Sequence, residues 1–199
     1  MACGKTAVAD MFARRGAHVV QADRLAHELM SPGEHVYEEI VRRFGRNILA
    51  PDGTIDRVKL AEAAFSPGRD GGTRIGELNA IVHPAVIRRQ EEWMDEIGRR
   101  DPHAVAIVEA ALIFEAGLGE RFDNIVVVTC ETEQKLERFA RRANLSREAA
   151  ASELNRRSAA QLPDTEKASR AHWVIDNSGS LEETERQVEQ VWKEMKGLR

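Results

Sequence analysis

The chain has 199 residues, 42% of them hydrophobic, and carries a net charge of -4. That size suits one domain with a packed core, and the slight acidity gives no overall pull toward nucleic acid or an anionic membrane. Two cysteines, Cys3 and Cys130, make neither a metal site nor a disulfide framework, and no apolar run is long enough to span a bilayer. A soluble, cytoplasmic protein is expected, with no membrane or nucleic-acid partner.

Taken in chain order, Lys5 to about Arg15 reads as a helix with Val8, Met11 and Phe12 at helical spacing, closed by Gly16. Ala17 to Ala22 is a short strand ending at Asp23. Helices follow over Asp23–Met30 and Glu34–Phe44, broken by Ser31-Pro32-Gly33 and closed by Gly45. Pro51-Asp52-Gly53 is a turn, and Asp56 is a candidate N-cap for a helix to Phe65. Ser66 to Gly72 is a Gly- and Pro-rich loop. A long helical stretch from about Thr73 to Gly98 contains His83-Pro84, where a kink or break is expected.

Ala104–Glu109 and Asn124–Cys130 are continuous apolar runs, the pattern of strands buried on both faces. After them come two charged helices, Glu133–Arg142 and Ser146–Ser158, and a last strand, Trp173–Asp176. Ser180 and Glu183 form a capping box for a final helix through Val188 and Trp192. Strands alternating with helices predict an α/β fold, a parallel sheet covered by helices on both faces. Ligands in such folds bind beyond the carboxyl ends of the strands, which singles out Asp23, Glu109 onward, Glu131 and Asp176-Asn177.

The chain opens Met1-Ala2-Cys3-Gly4-Lys5-Thr6, and Gly4-Lys5-Thr6 is the back half of a phosphate-binding loop, G-x-x-x-x-G-K-[ST]. In that chemistry backbone N–H groups cradle phosphate oxygens, the Lys reaches the outer phosphates and the Thr hydroxyl ligates Mg²⁺. No residues stand ahead of it for the strand and first glycine of the motif, so the chain is expected to lack them. A thiol at Cys3, at a helix N-terminus, is expected to be oxidation-sensitive. Asp23 reads either as a helix N-cap or as a carboxylate near a transferred phosphoryl group. Arg138 and Arg142, four apart, are either a solvated face paired with Glu133 and Glu137 or arginines that close over polyphosphate. His83-Pro84 and His27, four residues after Asp23, are either structural or in reach of a substrate phosphate or ribose.

In combination these residues resemble the dephospho-coenzyme A kinase family. The likeness runs through Gly4-Lys5-Thr6, Ala22-Asp23-Arg24-Leu25-Ala26-His27, Phe44-Gly45, Asp52-Gly53, Ile55-Asp56-Arg57 and His83-Pro84. It continues in Leu112-Ile113-Phe114-Glu115, Arg138, Arg142, Leu145-Ser146, Gln161, Lys167 and Val174-Ile175-Asp176-Asn177-Ser178-Gly179. Gln21 stands where the family usually has a first aspartate. The resemblance implies a P-loop NTPase core over 1–23, 99–134 and 163–199, a helical substrate domain over 24–98 and a lid over 135–162. It implies transfer of the ATP γ-phosphoryl to the ribose 3′-hydroxyl of dephospho-coenzyme A. Asp23 would be the general base, with Lys5 and Arg138 also catalytic. ATP would meet Ala2, Cys3, Gly4, Lys5, Thr6, Arg142, Asp176 and Asn177, with Mg²⁺ on Thr6. His27, His83 and Gln161 would bind the substrate. The rival expectations are another small-molecule P-loop kinase, or a shortened chain that binds coenzyme A derivatives without turnover.

Overall fold

The computed structural model describes residues 2–67, 72–159 and 161–197. The chain divides into two compact units, one from residues 1–19 and 109–199, the other from residues 20–108.

In the first unit α1 (Lys5–Ala13) buries Val8, Ala9, Met11 and Phe12. Its face meets α9 (Leu181–Gly197), which buries Thr184, Val188 and Val191. The rings of Phe12 and Trp192 lie 6.4 Å apart, and Arg14 reaches Glu185 at 2.9 Å. Gly16, at φ +98°, turns the chain out of α1 where an L side chain would be strained. β3 (Val126–Thr129) and β4 (Trp173–Asp176) pair in parallel, Val126 opposite Trp173 through Thr129 opposite Asp176. Ile175, fully buried, anchors β4.

α6 (Thr132–Ala143) and α7 (Arg147–Ser158) form a helical hairpin around Phe139, Ala150 and Leu154. Asn144, at φ +51°, ends α6 in the left-handed conformation, and Ser146 Oγ caps α7 by accepting from Ala149 N. α8 (Asp164–Ser169) has no counterpart in the sequence reading. It is six residues long and exposes no apolar period, and tertiary ion pairs hold it: Asp164 to Lys135, and Lys167 to Glu115.

In the second unit α2 (Ala22–Leu29), α3 (His35–Phe44), α4 (Arg57–Phe65) and α5 (Ile75–Arg100) enclose one core of Leu29, Val36, Ile40, Phe44, Ile48, Leu60, Ala64 and Val82. Asp56 caps α4 as expected, accepting from Val58 N and Lys59 N at 2.9 and 3.2 Å. α5 runs through Pro84 without a break, so of the expected kink or break the break does not occur. Val82, Ala85 and Val86 seat both sides of the proline in the core, while Ala80 and Pro84 are exposed. Water can therefore take the Ala80 carbonyl that the proline leaves without an N–H. Arg74 lies 4.3 Å above the Phe44 ring and joins Arg43 in holding Glu77 below its ordinary carboxylate range.

Three further expectations change. α2 starts at Ala22, so the N-cap position falls on Gln21, not Asp23. The reason is that Gln21 is still extended, and strand passes into helix with no linking residue. The strands β1 (His18–Gln21) with β2 (Ala106–Glu109), and β3 with β4, form two two-stranded sheets instead of one covered sheet among the described residues. With one hydrogen-bonded neighbour each, β2 and β3 are half-buried along their whole length, not enclosed on both faces. No helix of the described residues is long and apolar enough to cross a membrane.

Candidate active site

The first unit gathers Gly4, Lys5, Thr6, Glu109 and Arg138 around the start of α1. Gly4 sits at the N-cap with φ +86°, and α1 receives no side-chain cap. The N–H groups of the first helical turn are thus left pointing out of the helix end, positive by the helix dipole. Lys5 is half-buried, and its ammonium has no partner among the described residues. Thr6 Oγ1 donates to Glu109 Oε1 at 2.9 Å, and Glu109 Oε2 is buried with no hydrogen-bond partner among the described residues. A buried carboxylate oxygen left without a donor is costly, and a cation beside it removes that cost.

From the opposite side comes Arg138 on α6. Its Nη2 donates to the Asn177 carbonyl at 3.1 Å, while its Nη1 is buried without a partner and lies 4.0 Å from where a Cβ on Gly4 would stand. A guanidinium arm left over beside a glycine turn is a donor set for an anion. Ala2, at φ +57°, packs against the Phe139 cluster of the α6–α7 hairpin.

Cys3 is 2% exposed, so its expected ready oxidation gives way to burial. It hydrogen-bonds the Cys130 thiol, whose pKa burial and that bond push up to about 12. A second polar cluster joins Glu115, Lys167, Gln161 and Leu162: Lys167 Nζ is 2.7 Å from Glu115 Oε1 and 3.3 Å from Gln161 Oε1, and Leu162 N donates to Glu115 Oε1 at 3.0 Å. Burial alone would raise the Glu115 carboxyl, but these bonds outweigh it and hold the group below its ordinary value of 4.5.

Comparison with known proteins decides the identity. The family model described as dephospho-CoA kinase matches residues 1–183. A dephospho-CoA kinase of Geobacter sulfurreducens is 42% identical over 192 residues, covering 96% of this chain and 93% of that protein. The chain belongs to the dephospho-CoA kinase family. A Geobacter metallireducens relative of the same name is 43% identical over 194 residues, covering 98% of this chain and 92% of its own. Among solved structures, dephospho-CoA kinase from Campylobacter jejuni superposes with TM-score 0.70 at 26% identity, over 99% of this chain and 94% of that one. A Thermus thermophilus crystal structure gives TM-score 0.75 at 32% identity, over 98% and 93%. The fold is thus the mixed α/β fold of the dephospho-CoA kinases, and the activity is that of a phosphotransferase completing coenzyme A biosynthesis with ATP as co-substrate.

Of the residues anticipated for a dephospho-CoA kinase, the first unit brings together Ala2, Cys3, Gly4, Lys5, Thr6, Arg138 and Asn177. Arg142 is not among them: it is exposed, with its guanidinium 6.0 Å from the Phe139 ring. Gln161 lies in the Glu115–Lys167 cluster. Asp176 Oδ1 is occupied by Ser178, from both N at 3.0 Å and Oγ at 2.6 Å. In the second unit Asp23 is exposed in the first turn of α2, with no hydrogen bond or ion pair among the described residues. His27 Nδ1 is engaged by Arg57, and His83 is exposed on α5.

Glu109 was singled out only as a residue at a strand end. The signal for a role was present, since it is the carboxylate closing an apolar strand. What it lacked was a partner, and only folding supplies Thr6 from 103 residues away.

Proposed function

We propose that this chain transfers the γ-phosphoryl of ATP to the ribose 3′-hydroxyl of dephospho-coenzyme A with Mg²⁺, on the phosphate site at the start of α1. The observation that supports this reading is the set of unspent groups there: the helix-end N–H groups, the Lys5 ammonium, the buried Arg138 Nη1 and the buried Glu109 Oε2. The three donors suit phosphate oxygens and the lone carboxylate oxygen suits a cation.

Thr6 and Glu109 are the residues that would hold Mg²⁺. Among the described residues no cluster of three or more His, Cys, Asp or Glu could hold a metal; phosphate and water oxygens would complete the oxygen shell of a hard cation held there. The ion supplies charge neutralisation across the phosphates. Lys5 and Arg138 bind the outer phosphates and stabilise the charge that develops on the transferred group. Asp23, exposed and with no hydrogen bond or ion pair among the described residues, takes the proton of the attacking hydroxyl as its oxygen bonds to the γ-phosphorus and the bond to the ADP oxygen breaks. By the likeness to the family, the α6–α7 hairpin serves as the lid, the helices of residues 24–98 receive the acceptor, and the cytoplasm is the place of action.

ADP release measured with and without dephospho-coenzyme A tests this reading, together with the phosphorus spectrum of the product. Acceptor-dependent release with the new phosphate on the 3′ position is expected. Phosphorylation of a nucleoside monophosphate or a sugar instead would replace it.

A further inference from the structure

We propose that Asn177 and Thr184 are positioning residues that set the phosphate loop and Arg138 against one another. Asn177 stands one residue beyond β4 and is buried. Its N–H extends the sheet ladder by donating to Thr129 O at 2.9 Å. Its side-chain Nδ2 donates to the Cys3 carbonyl at 2.8 Å, its Oδ1 accepts from Thr184 Oγ1 at 2.9 Å, and its own carbonyl accepts from Arg138 Nη2 at 3.1 Å.

The amide has one workable orientation. The Cys3 carbonyl can only accept, so the amide NH₂ must face it and Oδ1 is left for the hydroxyl. Thr184 is fully buried in the first turn of α9 and has the hydroxyl to meet that need. Its neighbours Val188 and Val191 on the buried face are aliphatic, and a valine of the same shape at 184 would pack as well but leave Oδ1 without a donor. A Cβ on Gly4 would collide with Asn177 Nδ2, so loop and amide are in direct contact. Each polar group of Asn177 is thus turned toward protein rather than toward a nucleotide. One residue ties the sheet, α9, the loop and the anion-facing arginine together. The catalytic side of this inference rests on the kinase reading; the mechanical side does not.

The test uses the full chain and two isosteric variants, Asn177→Asp and Thr184→Val, with Thr184→Ser as the conservative control. Alkylation of the buried Cys3 thiol, followed by peptide mass, reports loop release with no nucleotide present. Cys3 is expected to react about tenfold faster in Asn177→Asp and Thr184→Val, the scale of one lost hydrogen bond, and at the parent rate in Thr184→Ser. In turnover the first two variants raise KM for ATP and lower kcat, leave KM for dephospho-coenzyme A unchanged, and Thr184→Ser restores the parent values. An unchanged Cys3 rate overturns the proposal. Faster Cys3 reaction accompanied by equal loosening of β4 amides in hydrogen exchange also overturns it, because the role would then be general stability. A parent chain without turnover would sink the kinase reading alone.

Discussion

At the scale of single residues the site is defined by atoms left unspent. Glu109 Oε2 and Arg138 Nη1 are buried without partners among the described residues, one an acceptor and one a donor. Glu109→Gln keeps the shape and can keep the Thr6 bond, yet removes the charge. It is expected to raise the Mg²⁺ requirement and lower kcat by about a hundredfold, measured by Mg²⁺ titration of ADP release. An unaltered Mg²⁺ profile would remove Glu109 from the metal site. Gly4 meets two constraints at once, a left-handed backbone and contact with the Asn177 amide. Gly4→Ala is expected to cost about 1 kcal/mol in backbone strain alone, and more through the collision, read as a lowered midpoint in chemical denaturation and weaker ATP binding.

At the scale of elements, helices carry polar residues to places their spacing does not reveal. Arg138 and Arg142 are four apart on α6, and from sequence they are equivalent. In the fold Arg138 turns to Asn177 and Gly4 while Arg142 lies exposed over Phe139. Arg138→Lys should lower kcat/KM by about a hundredfold, and Arg142→Lys by less than about tenfold, since only the former spends a guanidinium fork in a buried contact. Equal losses would contradict that division of roles. Asp56→Ala removes the side-chain cap of α4 and should cost about 1 kcal/mol of stability without changing kinetics for ATP. Caps and glycine stops were legible because they are local: Asp56, Gly16 and Gly45 each act within a turn of their own position. α8 was not legible, since ion pairs to Lys135 and Glu115 hold it and those partners are distant in sequence.

At the scale of the whole molecule, the Glu115 carboxyl makes stability depend on pH. The Glu115 carboxyl is held below 4.5 in the fold, so the unfolded chain takes up its proton first on acidification. Its stabilising contribution is complete above the unfolded value and is lost as pH falls through the folded one. Melting temperature should therefore fall with pH below about 4.5 more steeply in the parent chain than in Glu115→Gln. Parallel slopes would remove Glu115 as a source of that dependence. The sequence by itself determined the alternation of strands and helices, the Gly4-Lys5-Thr6 tripeptide at the head of α1 and the kinase family, because each is written in short-range patterns and ordered motifs. It also marked strand ends such as Glu109 as places for chemistry, without a role. Only the tertiary structure decided which polar groups meet. Thr6 with Glu109, Asn177 with Cys3 and Thr184, and Arg138 with the Gly4 turn join positions brought together by packing. Hydrogen bonds have to be satisfied wherever burial excludes water, and no local pattern records who the partner will be.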